Sequence, residues 1–359
     1  MSTLLSISIL ILFCAVIAVV VIFRVAKKQS SPDKPSFARV TPSIDEGVFF
    51  YGLDHLSVQR PQIAEVLGAL KKQIAAMDGF LHALLISMLA GGHVLVEGAP
   101  GLAKTKTIRL LASLIGLETK RVQCTPDMLP ADLLGTDIFN PATRQFETVV
   151  GPLFTNILLA DEINRATPKL QSALLEAMQE KQVSISGTSH PLPQPFFVLA
   201  TQNSLEHEGT YPLPQAELDR FLMKLQVEQP TLEAEKQILA LSHITDTAHS
   251  VLSGSALLQM QSEVRQVHVA QDIRDYIAEL VVATRKNTLI SSGASPRGSL
   301  GLLTAAQALA YICGREMVTK SDVQKLVLPV LRHRISLSTK AQLEGMSDVR
   351  VLYESVSKV

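Results

Sequence analysis

Apolar positions run almost without interruption at the start of the chain. Residues 1–23 carry no charged side chain, and from Leu4 to Phe23 only Ser6 and Ser8 are polar. Twenty helical residues rise about 30 Å, the thickness of a bilayer's hydrocarbon core. Arg24, Lys27 and Lys28 follow directly, and no Lys or Arg precedes the run. The pattern therefore predicts one membrane-spanning helix over 4–23, with the N-terminus outside and the remainder cytoplasmic. A cleaved secretory signal would need a basic start, a shorter apolar run and a small-residue cleavage site, and none is evident. The character then changes: residues 29–46 hold three prolines, four serines and mixed charge. This reads as a linker over 24–47 with little structure of its own.

From about Val48 apolar periodicity returns. Runs near 93–97, 120–124, 156–161, 195–201 and 223–228 read as strands alternating with helices, the order of a parallel α/β sheet. From Thr231 onward the period is helical, in EAEKQILAL, ALLQMQSEV, QDIRDYIAELVVATRK, SLGLLTAAQALAYI and SDVQKLVLPVL. FNPATRQFETVVGPLF (139–154) and QVSISGTSHPLPQPF (182–196) do not belong to the minimal sheet. Both read as hairpins, with turn residues flanked by alternating apolar ones. The expected division is 4–23 membrane helix, 24–47 linker, 48–230 α/β domain and 231–359 helical domain.

Composition narrows the class. With 33 Lys+Arg against 33 Asp+Glu, the formal charge is zero, which argues against nucleic-acid binding by net charge. A hydrophobic share of 47% excludes disorder for most of the chain. Cys14, Cys124 and Cys313 are widely spaced and form neither a disulfide framework nor a metal pattern. Charged residues make up 18%, below the ~25% of ordinary domains. That deficit persists without the membrane helix and hints at surface buried between subunits.

The chemistry-bearing stretch begins at HVLVEG (93–98), which runs into Gly98-Ala99-Pro100-Gly101-Leu102-Ala103-Lys104-Thr105 and then a helix. This is close to the phosphate-binding G-x-x-x-x-G-K-[ST] in the strand–loop–helix context it requires. Gly98 and Gly101 let backbone N–H groups face one anion. Lys104 is expected to reach the β- and γ-phosphates, and Thr105 to place its hydroxyl on Mg²⁺. Ala103 stands where the last glycine is usual.

NILLADE (156–162) is an apolar run ending in two carboxylates, as in a buried parallel strand. Asp161 is expected to hold the Mg²⁺ shell and Glu162 to polarise the attacking water. A third strand, PFFVLATQN, ends in Asn203, whose amide can orient that water. AELDRF puts Arg220 at the end of a helical turn, where it could serve a neighbouring subunit's nucleotide or pair with Asp219 or Glu217. SPRG places Arg297 in the first turn of a long helix, where a cation opposes the macrodipole.

Assembled, these residues resemble the MoxR family of AAA+ ATPases over about 50–340. The resemblance rests on GGHVLVEGAPGLAKT, NILLADEINRATPKLQSALLEAMQEKQV, FFVLATQN, GTYPLPQAELDRF, GASPRG and VTKSDVQKLVLPVLRHRI. It implies that Lys104 and Thr105 are Walker A, Asp161 and Glu162 Walker B, Asn203 sensor 1, Arg220 a trans-acting finger and Arg297 sensor 2. Ala before the loop lysine is tolerated in the family. The implied fold is an AAA+ parallel-sheet domain followed by an all-helical lid. The implied activity is Mg²⁺-dependent ATP hydrolysis by a homo-oligomeric ring, a hexamer, with Arg297 tying the γ-phosphate to the lid.

The resemblance also implies chaperone-like remodelling or maturation of partner proteins, with von Willebrand factor A-type partners, and hairpins that face the ring's opening. This chain has no Asp-x-Ser-x-Ser signature, so such a partner would be a separate polypeptide. The added membrane helix departs from the family's soluble form and points to the cytoplasmic face of the inner membrane. An ATP-binding scaffold and a magnesium-chelatase-type subunit are the alternatives. A nucleic-acid motor is disfavoured, since the hairpin turns carry only Arg144.

Overall fold

The computed structural model describes residues 52–98, 102–203, 209–241, 249–357 and 359. The expected membrane helix at 4–23, the linker at 24–47 and Ala99, Pro100 and Gly101 of the loop lie outside the described residues. Among the described residues no helix is long and apolar enough to cross a membrane.

Two helices, α1 (Pro61–Lys71) and α2 (Asp78–Leu89), precede the sheet. From Gly79 to Leu89 every residue of α2 is buried, because the helix lies between one sheet strand and two later helices. A helix without a polar face is the sequence signature of that position.

The sheet is built from β1 (Val94–Gly98), β2 (Thr119–Gln123), β5 (Ile157–Asp161), β8 (Phe197–Gln202) and β9 (Met223–Val227). Its order is β2-β5-β8-β1-β9, with every pairing parallel. The expected sheet is therefore present. Helices α3 (Lys104–Leu114) and α5 (Pro168–Glu180) make crossovers, which is why all five residues of β5 are buried and apolar up to Asp161. The C-terminal ends of the strands gather Gly98, Asp161 and Gln202 at one edge.

A short helix, α4 (Pro130–Leu134), leads into the hairpin β3 (Gly135–Asn140) and β4 (Gln145–Val150). The expected hairpin at 139–154 is thus displaced toward the N-terminus. A side chain at Gly151 would meet the Leu133 carbonyl at 2.2 Å, and Leu153 is fully buried, so the chain re-enters the core there. The second hairpin, β6 (Gln182–Ile185) and β7 (Thr188–Pro191), turns on Ser186 and Gly187, both at positive φ. It is shorter than the expected 182–196, because Leu192 and Phe196 return to the core.

After a single turn, α6 (Gln215–Leu218), and β9, the chain is helical: α7 (Leu232–Leu241), α8 (Gly254–Gln266), α9 (Gln271–Lys286), α10 (Pro296–Ile312), α11 (Lys320–Leu331), α12 (Thr339–Leu343) and α13 (Asp348–Val356). Caps fix the starts: Ser295 accepts from the Arg297 N–H, and Thr319 with Asp322 forms a capping box on α11. A small antiparallel pair, β10 (Ile290–Ser292) with β11 (Ser336–Leu337), interrupts the helices. Neither that pair nor α13 is evident from the sequence pattern. The helical part is joined to the sheet part by α2, where Gln261 Nε2 donates to the Met88 carbonyl at 2.7 Å.

Candidate functional site

At the strand ends a cleft brings together Gly98, Leu102, Ala103, Lys104 and Thr105 with Asp161, Glu162 and Asn203. Glycine is required at 98, because φ is +157° and an added Cβ would meet the Val227 carbonyl at 2.4 Å. Ala103 lies at φ +51° and leaves α3 without a side-chain cap, so the first N–H groups of that helix face the cleft. Lys104 Nζ folds back to donate to the Gly98 carbonyl at 3.0 Å. Burial lowers its pKa, against the opposing pull of Asp161 and Glu162.

The two carboxylates are held by groups that the sequence pattern does not single out. Arg121 donates from Nε to Asp161 Oδ2 at 2.6 Å and from Nη2 to Gln123 Oε1 at 3.2 Å. The Thr201 hydroxyl donates to Asp161 Oδ1 at 3.2 Å and accepts from the Glu162 N–H at 3.0 Å. One hydroxyl thereby fixes both members of the acidic pair. Glu162 itself sits at φ +57°, ψ +51°, a left-handed conformation for a non-glycine residue, with its carboxylate 3.2 Å from Arg165 Nη1. The Cys124 thiol nearby is pushed up to about 12 by burial, so it stays protonated and is no nucleophile.

Asn203 follows β8, and its carbonyl accepts from Asn164 Nδ2 at 3.4 Å. Behind it, Gln202 donates to Glu97 at 3.2 Å, and Glu97 pairs with Lys224 at 2.7 Å. This chain of polar groups ties three neighbouring strands at the cleft floor.

The structure does not bring Arg220 and Arg297 into this cleft. Arg220 is half-buried; its Nη1 donates to the Leu175 carbonyl of α5 at 3.1 Å, and its Nε is buried without a partner. The surface pair with Asp219 or Glu217 is not formed, because Asp219 is taken by Arg334 at 2.8 Å. Arg297 donates to Gln179 of α5 at 3.2 Å and lies 3.9 Å from Asp219. The two arginines thus share the C-terminal half of α5 and belong to a second cluster.

The donor set fits a magnesium nucleotide. Thr105 and Asp161 offer the hard oxygen ligands that Mg²⁺ prefers, and the Arg121 guanidinium already supplies positive charge on the Asp161 carboxylate. An uncapped helix start and a lysine supply the phosphate side. Among the described residues no cluster of three His, Cys, Asp or Glu forms a separate metal site. Arg121 could have been noticed from TKRVQ, where alternation puts Arg121 and Gln123 on one face of an edge strand.

Comparison with known proteins agrees with this geometry. Residues 93–223 match the family model described as the ATPase family associated with various cellular activities (AAA), and residues 282–355 match the AAA lid domain. The uncharacterized protein YeaC of Bacillus subtilis is 46% identical over 77% of this chain and 87% of its own length. Chaperone MoxR1 of Mycobacterium tuberculosis is 41% identical over 82% of this chain and 81% of its own. A crystal structure from Cytophaga hutchinsonii superposes with a TM-score of 0.78 at 40% identity, covering 83% of this chain and 94% of that one.

Proposed function

Since the chain belongs to the MoxR family of AAA+ ATPases and hydrolyses ATP, we propose that it works as a Mg²⁺-dependent homo-oligomeric ring, a hexamer, that remodels or matures partner proteins in a chaperone-like way. The observation that carries the ring is the separation of Arg220 and Arg297 from their own chain's cleft. A cleft holding Lys104, Asp161 and Glu162 lacks these two cations, and a neighbouring subunit is their natural recipient.

In this reading the N-terminus of α3 and Lys104 bind the phosphates. Glu162 accepts the proton of the attacking water, Asn203 orients that water, and Thr201 keeps Asp161 and Glu162 in place. Thr105 and Asp161 would hold Mg²⁺, which would supply charge neutralisation on the phosphate oxygens. Arg220 enters the next subunit's cleft and stabilises charge that develops in the transition state. Arg297, at the start of α10, donates to Gln179 of α5 and so joins the same intersubunit face as Arg220. The β3–β4 hairpin supports client contact, since Ile138, Phe139 and Phe146 are exposed and the two phenylalanines stack edge-to-face at 5.5 Å.

Residues 4–23 anchor the ring in the inner membrane with the ATPase part cytoplasmic, and a von Willebrand factor A-type protein is the partner class. The sequence run and its basic flank support the anchor. Glu162→Gln tests the chemistry: ATP binding should persist while phosphate release falls by roughly 10²–10⁴. An unchanged rate removes Glu162 from its role. Sedimentation with membranes and release by detergent test the anchor, which fails if the full chain stays soluble.

A further inference from the structure

The stretch LPVLRHRI closes the lid's longest buried run, and its last arginine faces the sheet domain. Arg334 follows α11 in a single 3-10 turn, Arg332–Arg334, and is 4% exposed. Its Nε donates to Asp219 Oδ1 at 2.8 Å. Nη2 donates to the carbonyls of Asp219 at 3.2 Å and Phe221 at 2.6 Å. Nη1 donates to the Leu222 carbonyl at 3.0 Å and to the carbonyl of Val330. One guanidinium therefore grips the backbone immediately before and after Arg220.

Neighbouring groups complete the grip. His333 Nε2 donates to the Phe221 carbonyl at 2.9 Å, and the His333 carbonyl accepts from Gln215 at 2.8 Å. On the other side Ser295, the cap of α10, donates to Asp219 Oδ2 at 2.7 Å. Room for Arg334 comes from α10 itself: a Cβ at Gly298 would lie 3.3 Å from Arg334 Cδ, and one at Gly301 would lie 3.8 Å from its Cζ. Glycine inside a helix is less favourable than alanine, so two in one contact face need a compensating partner. The arginine two residues earlier behaves differently, since Arg332 pairs with Asp348 inside the lid.

We propose that Arg334 is a positioning residue for the arginine finger: the lid clamps the Asp219–Leu222 backbone through it, and so sets where Arg220 stands in the neighbouring subunit's site. Arg334 does not touch Arg220's guanidinium, which rests on Leu175. It acts through the backbone alone. Any lid movement is thereby carried to the next subunit's chemistry and not only to the lid's own cleft. The proposal rests on the reading that Arg220 acts in trans.

The test uses the full chain and four variants, Arg334→Lys, Arg220→Ala, Arg332→Lys and Lys104→Ala. Lysine keeps the charge opposite Asp219 but cannot hold several carbonyls in one plane. Arg334→Lys should bind a fluorescent ATP analogue as the wild type does and assemble normally, while kcat falls roughly 10²-fold with KM nearly constant. Mixed with Lys104→Ala it should recover turnover, and mixed with Arg220→Ala it should not, because both lack a working finger. Arg332→Lys should turn over like the wild type.

Wild-type turnover in Arg334→Lys, loss of its ATP binding, or failure to recover with Lys104→Ala overturns the proposal. An equal loss in Arg332→Lys does the same, by making the effect one of lid stability. If Arg220→Ala keeps full turnover, the reading of the finger falls and the proposal with it. If Arg220→Ala is inactive and rescued while Arg334→Lys is unaffected, only the clamp is wrong.

Discussion

Arg121 Nε donates to Asp161 Oδ2 at 2.6 Å, so a protein cation lies against the carboxylate expected to serve Mg²⁺. The pair joins adjacent strands, β2 and β5, at their cleft ends, and Asp161 is largely buried while Arg121 is half-exposed. A divalent ion at Asp161 Oδ2 must compete with that guanidinium.

Removing the competitor should strengthen bare metal binding. In Arg121→Ala, Mn²⁺ titrated without nucleotide and read by electron paramagnetic resonance should bind about fivefold tighter, the equivalent of ~1 kcal/mol for a partly exposed pair. Equal or weaker Mn²⁺ binding would show that Arg121 does not compete at Asp161.

Two residues beside the cleft occupy left-handed backbone: Ala103 at φ +51° and Glu162 at φ +57°. Glycine takes that conformation without steric penalty, at some cost in chain entropy. Ala103→Gly and Glu162→Gly should each raise stability by about 0.5–1 kcal/mol, seen as a higher Tm. Only Ala103→Gly should keep turnover. A lower Tm in both variants would mean that the backbone there is not strained.

His93, just before β1, is buried; its Nδ1 accepts from the Val198 N–H at 3.0 Å and its Nε2 donates to the Met178 carbonyl at 3.2 Å. Burial lowers its pKa to about 4. Above pH 6.5 the ring is neutral in both folded and unfolded chains, and its contribution to stability is complete. As pH falls from 6.5 toward 4 the unfolded chain takes up a proton that the folded chain refuses, so stability is lost at about 1.4 kcal/mol per unit. Urea unfolding at pH 7 and pH 5 should therefore differ by about 2 kcal/mol less in His93→Gln than in the wild type. An unchanged difference would mean that His93 is not held neutral.

The residues legible in the sequence are those whose chemistry is local in the chain. Lys104 and Thr105 follow their glycine-bearing loop directly, and Asp161 and Glu162 end an unbroken apolar strand. Arg121, Thr201 and Arg334 owe their parts to pairing between strands or between domains. On β2, TKRVQ reads as a wet edge, and nothing in it reveals which strand lies alongside. RHR after α11 is three basic residues in a row, and nothing in the sequence pattern shows that all three are buried. The first hairpin lies N-terminal to the expected 139–154 for a similar reason: Gly151 is fixed by contact with Leu133, not by the turn pattern.

The measurement that bears most directly on a site completed between subunits is a mixing titration of Arg220→Ala with Lys104→Ala. Each variant alone should release almost no phosphate, one lacking the finger and the other the phosphate-binding lysine. Co-assembled in equal amounts they should recover about a quarter of the wild-type rate, since that share of sites pairs an intact cleft with an intact neighbouring finger. A mixture that never exceeds the sum of the two separate variants would contradict the account.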